Sequence, residues 1–154
     1  MTYYLGIGSN LGNREQTIRE ALRLLDAAIG KRVSVAPLIY TAPQGFASEH
    51  EFCNTVARYE SALQPMEVFA RTQAIEQQLG RTEHSTILPN GSKLYADREI
   101  DIDLIQVFDD EGKEINMSTP ALTLPHPRMN EREFVMKPLK EIRSQNSEFR
   151  IQII

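Results

Sequence analysis

The 154-residue chain has a single cysteine, Cys53, and no tryptophan. One cysteine excludes an internal disulfide and fits a reducing compartment, so stability has to come from a hydrophobic core. No apolar run approaches the ~20 residues that span a bilayer. The first residues, MTYYLGIGSN, lack the basic-then-apolar pattern of a secretory signal. These absences lead us to expect a cytoplasmic protein with no membrane partner. Lysine and arginine total 17 against 21 aspartates and glutamates, a net charge of −4 without a basic block. That balance argues against nucleic acid, whose phosphates need clustered cations, so an anionic small molecule would have to be met by a local patch. Repeats, low-complexity tracts and linkers are missing as well. We therefore expect one domain over residues 1–154, long enough to bury about 68–70% of its unfolded surface.

Signatures of familiar chemistries are also missing. There is no GK[ST] phosphate loop, no GxSxG elbow and no paired Cys and His. His50, His84 and His126 are scattered, with no Cys/His spacing that suits zinc. GIGSNLG (6–12) resembles a dinucleotide turn but brings its third glycine one residue late, and its glycines read as turn geometry.

The segments that are present alternate in type. Tyr3–Ile7 reads as a strand ending at a Gly8-Ser9-Asn10 turn. Asn13–Ile29 carries Ile18, Leu22, Leu25 and Ile29 at helical spacing and stops at Gly30. Arg32–Tyr40 and Glu51–Ser61 read as strands. Pro65 then opens a helix through Val68, Phe69, Thr72, Ile75 and Leu79 to Gly80. Arg98–Phe108 is a further strand, followed by a hairpin at Asp110-Glu111-Gly112 and a short helix near Pro138–Arg143. The order β-α-β-β-α-β predicts a ferredoxin-like α+β sandwich, an antiparallel sheet with both helices packed on one face. Two connections, TAPQGFASEHE and Arg81–Asp97, run to 11 and 17 residues. Loops of that length in a compact domain commonly act as lids or binding walls.

The stretch REIDIDLIQVF (98–108) carries the chemistry. Period two puts Asp101 and Asp103 on one face, ~7 Å apart or less, and Ile100, Ile102 and Leu104 on the other. Aspartate is a poor strand former, so a merely wetted face has little use for two of them. Paired carboxylates suit a hard cation such as Mg²⁺, which completes its coordination with phosphates and water. Arg81, Arg98, His126, Arg128 and Arg132 are candidate cations for such phosphates. A solvated acidic face and ordinary surface charges remain the plain alternatives.

GSNLG (8–12), YTAPQGF (40–46), FCNTV (52–56), EQQLGR (76–81), DREIDIDL (97–104), LPHPRM (124–129) and REFVMKPLKEI (132–142) occur in this order over nearly the whole chain. Together they resemble the 6-hydroxymethyl-7,8-dihydropterin pyrophosphokinase family. The resemblance implies the ferredoxin-like fold and transfer of the pyrophosphoryl group of ATP to the pterin hydroxymethyl group, a step of folate biosynthesis that releases AMP. It implies two Mg²⁺ ions on Asp101 and Asp103, with Arg81 and Arg98 joining them in catalysis. Gln73, Glu76, Arg81, Arg98, Leu104, Thr123 and His126 fall on the nucleotide side. Thr41, Ala42, Pro43, Phe52, Asn54 and Phe134 fall on the pterin side, where aromatic rings stack on a flat heterocycle and an amide pairs with its polar edge. The implied partners are small molecules, and the chain is expected to be a monomer or at most a weak dimer.

The pattern also has departures. Tyr95-Ala96-Asp97 stands where the family usually has Trp-Gly-Pro before the arginine, and Glu83 where a second basic residue is frequent. Ile87–Ser92 reads as an insertion, and Ala121 replaces a common basic residue on the adenine side. Two other readings remain open at this point: a non-catalytic paralogue that binds a pterin or nucleotide, and an interaction domain with a solvated acidic strand. The tail SEFRIQII (147–154) is apolar enough to add to a sheet edge or to meet another subunit.

Overall fold

The computed structural model describes residues 1–10, 13–41, 51–80, 86–87, 93–94, 100–127, 129, 136, 139–140 and 142. Its elements are β1 (Thr2–Ser9), α1 (Arg14–Ala28), β2 (Lys31–Val35), β3 (Ile39–Thr41), β4 (Phe52–Glu60), α2 (Pro65–Gln78), β5 (Thr86–Ile87), β6 (Lys93–Leu94), β7 (Asp101–Phe108), β8 (Met117–Ser118) and β9 (Thr123–Leu124). The main sheet runs β2-β4-β1-β7, with β3 pairing beside β2 on β4, and every pairing is antiparallel. This is the expected βαββαβ sandwich.

Helix α1 starts where Asn13 caps it, its side-chain oxygen accepting from the Gln16 amide at 3.2 Å. Its stripe of Ile18, Leu22 and Leu25 is buried against Tyr3, Leu5 and Ile7 of β1, and α2 adds Val68 and Ile75 to the same core. Each such side chain contributes ~1.5–3 kcal/mol against ~1 kcal/mol for a cap, so packing holds the helices more than capping does. Asp26 lies near the C-terminal end of α1, where the helix dipole disfavours an acid. Tertiary partners offset this. Arg32 of β2 donates to one Asp26 oxygen at 2.8 Å and the Tyr59 hydroxyl of β4 to the other at 2.7 Å. Burial, and then that carboxylate, push the Tyr59 hydroxyl well above the ordinary phenol range.

Three expectations are revised. The single strand Arg32–Tyr40 is two strands, because Pro37 has no N–H to give and the chain bends between Val35 and Ile39 while Ala36 still donates to the Val56 carbonyl. The Arg81–Asp97 segment contains a short ladder, Thr86 opposite Leu94 and Ile87 opposite Lys93. β1 runs on through Gly8 and Ser9, so the predicted turn there is strand. The hairpin after β7 is as expected: Asp109 accepts from the Glu111 and Lys113 amides, and Glu114 bridges back to Phe108. Of the predicted C-terminal helix, Leu139, Lys140 and Ile142 are described and helical. Leu139 and Ile142 pack with Tyr4, Val56 and Ile105 on the sheet face turned away from α1 and α2.

Gly30 follows the α1 cap at φ +151°, and a Cβ there would lie 2.2 Å from the Glu60 carbonyl oxygen. Gly112 has φ +84° and open space around it. Gly30→Ala should therefore lower unfolding free energy by about 3 kcal/mol or more in urea melts, and Gly112→Ala by only about 1–2 kcal/mol.

Candidate active site

Directly opposed residues of an antiparallel sheet share a face. Asp101 of β7, Gly8 of β1 and Asn54 of β4 stand in one row, and Ile39 of β3 extends it. Asp103, Gly6 and Val56 form the next row. Ile102 and Leu104 face the opposite way, into the helix-side core. The period-two reading of the aspartates therefore holds. Both are partly exposed, on the face away from the helices.

The glycines between them are close-approach positions. Neither Gly6 nor Gly8 has positive φ, so neither is there to make a turn. A Cβ on Gly8 would come within 2.6 Å of the Asn54 side-chain oxygen and 3.7 Å of the Phe52 ring, and one on Gly6 within 3.2 Å of Ile105. At Gly8 the missing side chain is what lets the Asn54 amide lie across β1 towards Asp101.

On the pterin side of the predicted site, Asn54 is buried at 7% exposure and Phe52 is half-buried beside it. Thr41 pairs with Phe52 across β3 and β4. Sequence reasoning missed what anchors this wall. The Tyr40 hydroxyl donates to the Glu15 carboxylate in the first turn of α1. The Arg14 guanidinium sits 5.0 Å from the Tyr40 ring centroid while also donating to the Glu51 carbonyl at 2.8 Å. The bond from Tyr40 is the main reason the Glu15 carboxyl is held below the usual carboxylate range. Behind the wall, burial pushes the Cys53 thiol up, which disfavours the thiolate that a nucleophile needs.

The nucleotide-side residues are more dispersed. Gln73 is exposed on α2, and Thr123 is exposed on β9. His126 is half-buried, and its amide donates to the Ile105 carbonyl of β7 at 2.8 Å, directly after the cis Leu124–Pro125 bond and Pro125. Leu104 lies on β7. Its side chain is 3% exposed in the helix-side core, so only its main chain is left for a nucleotide. Glu76 is also buried, and its Oε2 accepts from the Ile102 amide at 2.7 Å. Ala42, Pro43, Arg81, Arg98 and Phe134, with Glu83, Tyr95-Ala96-Asp97, Arg128, Arg132 and the tail, lie outside the described residues.

Among the described residues no three His, Cys, Asp or Glu side chains cluster as a metal cage. Two carboxylates alone suit a hard cation that takes its remaining ligands from phosphate and water, as Mg²⁺ does, and do not suit zinc.

Fold and site together define the class: a ferredoxin-like α+β protein with an acidic pair on the sheet face opposite its helices, one glycine away from an amide and an aromatic ring. The chain belongs to the 7,8-dihydro-6-hydroxymethylpterin-pyrophosphokinase family, which matches residues 4–144. It is 40% identical over 139 residues to a 2-amino-4-hydroxy-6-hydroxymethyldihydropteridine pyrophosphokinase of Porphyromonas gingivalis, covering 90% of this chain and 88% of that one. The Bacillus subtilis enzyme of the same name is 37% identical over 140 residues, with 90% and 76% covered. A folic acid synthesis protein of Schizosaccharomyces pombe is 36% identical over 137 residues, 88% of this chain but 17% of that protein. A crystal structure of an HPPK-DHPS protein in complex with substrates aligns at TM-score 0.63 and 14% identity, over 92% of this chain and 40% of that one, and supports the fold.

Gly8→Ala should displace the Asn54 side chain while leaving the protein folded, read as shifted Asn54 side-chain amide resonances with an unchanged α1. Tyr40→Phe should destabilise at neutral pH, and the difference from wild type should shrink as pH falls. The lowered Glu15 pKa gives stability that is present above the unfolded value and lost as pH drops through the folded one. Acid titration of both proteins' melting temperatures checks the sign.

Proposed function

We propose that this chain, as a single domain over residues 1–154, transfers the pyrophosphoryl group of ATP to the hydroxymethyl group of 6-hydroxymethyl-7,8-dihydropterin in folate synthesis, with two Mg²⁺ ions. The observation that carries this reading is the row Asp101, Gly8, Asn54, with Asp103 one row behind: an acidic pair beside an amide and an aromatic ring on one sheet face.

Each residue has a role within that reading. Asp101 and Asp103 would hold the ions. When bound, the ions neutralise the triphosphate and lower the pKa of the attacking hydroxyl. Asn54, with an oxygen to accept and an amino group to donate, pairs with the pterin edge, and Phe52 and Phe134 cover its ring faces. Thr41, Ala42 and Pro43 complete that wall with backbone groups. Arg81, Arg98 and His126 meet the charge that develops on the transferring phosphates. Gln73 and Thr123 lie on the nucleotide side. A buried lone cysteine fits the reducing conditions of the cytoplasm. Among the described residues no helix is long and apolar enough to cross a membrane.

The test is AMP release from ATP in the presence of the pterin alcohol. Chelation should abolish turnover and added Mg²⁺ should restore it. Asp101→Asn and Asp103→Asn should each lower kcat at least about a hundredfold with little change in melting temperature. Variants that release AMP at nearly the wild-type rate would refute the assignment.

A further inference from the structure

We propose that Glu76 is a positioning residue whose carboxylate fixes the main chain between Asp101 and Asp103 and so sets the aim of both towards their cation. This rests on the metal-dependent reading above.

Among the described residues, β7 ends the order β2-β4-β1-β7 and pairs with a main-sheet neighbour through β1 alone. The Ile102 amide, midway between the two aspartates, points out from that edge and donates to Glu76 Oε2 at 2.7 Å. An edge peptide held only on its inner side can tilt about the strand axis more readily than one held on both, and tilting of this one moves the Cα–Cβ bonds of the aspartates on either side. Glu76 removes that freedom. It is itself held, being 6% exposed on α2, whose Val68 and Ile75 are packed in the core. A buried carboxylate is costly unless it is hydrogen-bonded, and the bond from the Ile102 amide offsets part of that cost, which an apolar residue in its place could not supply to Ile102. Partners one step behind metal ligands commonly set ligand orientation in this way.

Two variants separate positioning from packing and from charge. Glu76→Gln keeps an acceptor oxygen and loses the charge, and Glu76→Leu keeps bulk and loses both. The first readout needs no metal: amide hydrogen exchange at Ile102, with the Tyr59 amide as a control for folding. The second is Mn²⁺ affinity by paramagnetic relaxation in the presence of α,β-methylene-ATP. Glu76→Leu should speed Ile102 exchange and weaken Mn²⁺ binding at least about tenfold, while Glu76→Gln stays within about threefold of wild type on both. Wild-type Mn²⁺ affinity in Glu76→Leu, despite fast Ile102 exchange, overturns the proposal. So does a loss in Glu76→Gln as large as in Glu76→Leu with Ile102 still protected, because the charge would then act on the ion directly. Wild-type protein that binds no Mn²⁺ overturns the metal reading itself, an outcome visible before any variant is compared.

Discussion

A side chain at position 8 would collide with the Asn54 amide at 2.6 Å, and the site depends on that space staying empty. Register brings three strands into one row, and the central one contributes no atoms beyond its backbone. The acid of β7 and the amide of β4 are brought within reach of a single small molecule across a strand that would ordinarily separate them. Cross-strand register then matters more than loop conformation. A slip of one residue would turn Asp101 and Asp103 into the helix-side core and bring Ile102 out. The fit of Ile7, Leu5 and Ile102 beneath α1 and α2 resists that slip, so the core on one face keeps the chemistry on the other in place.

Much of this was legible in the residues themselves. Alternation of Asp101 and Asp103 with Ile100, Ile102 and Leu104 fixed which face carries the acids, and the stripe of Ile18, Leu22 and Leu25 located α1. Local signals failed where a residue answers to a distant partner. Gly6 and Gly8 look like turn glycines in GIGSNLG, because nothing nearby in the chain announces that Asn54, far along the sequence, will lie over one of them. Asp26 stands against the dipole of its own helix and makes sense only beside Arg32 and Tyr59. Glu76 could be placed on a helix face but not given a bond to a strand 26 residues away.

The relatives show how far identity and fold each extend. Identities of 37–40% extend over 90% of the chain, whereas the fold persists in a neighbour at 14% identity. A sandwich of this kind tolerates wide replacement of its core provided volume and patterning are kept. The row from Asp101 to Asn54 has less latitude, since each member is defined by contact with the next.

The outer edge of β7 has one more consequence. An exposed strand edge is a template on which another chain can pair, and a strand reading IDLIQVF would be a good one. Here three outward groups are already occupied: the Ile102 amide by Glu76, the Ile105 carbonyl by the His126 amide, and the Val107 carbonyl by the Ile115 amide. At those three points the strand that bears the acidic pair is closed to pairing with another chain, so one contact, that of Glu76, serves both the edge and the peptide between the acids.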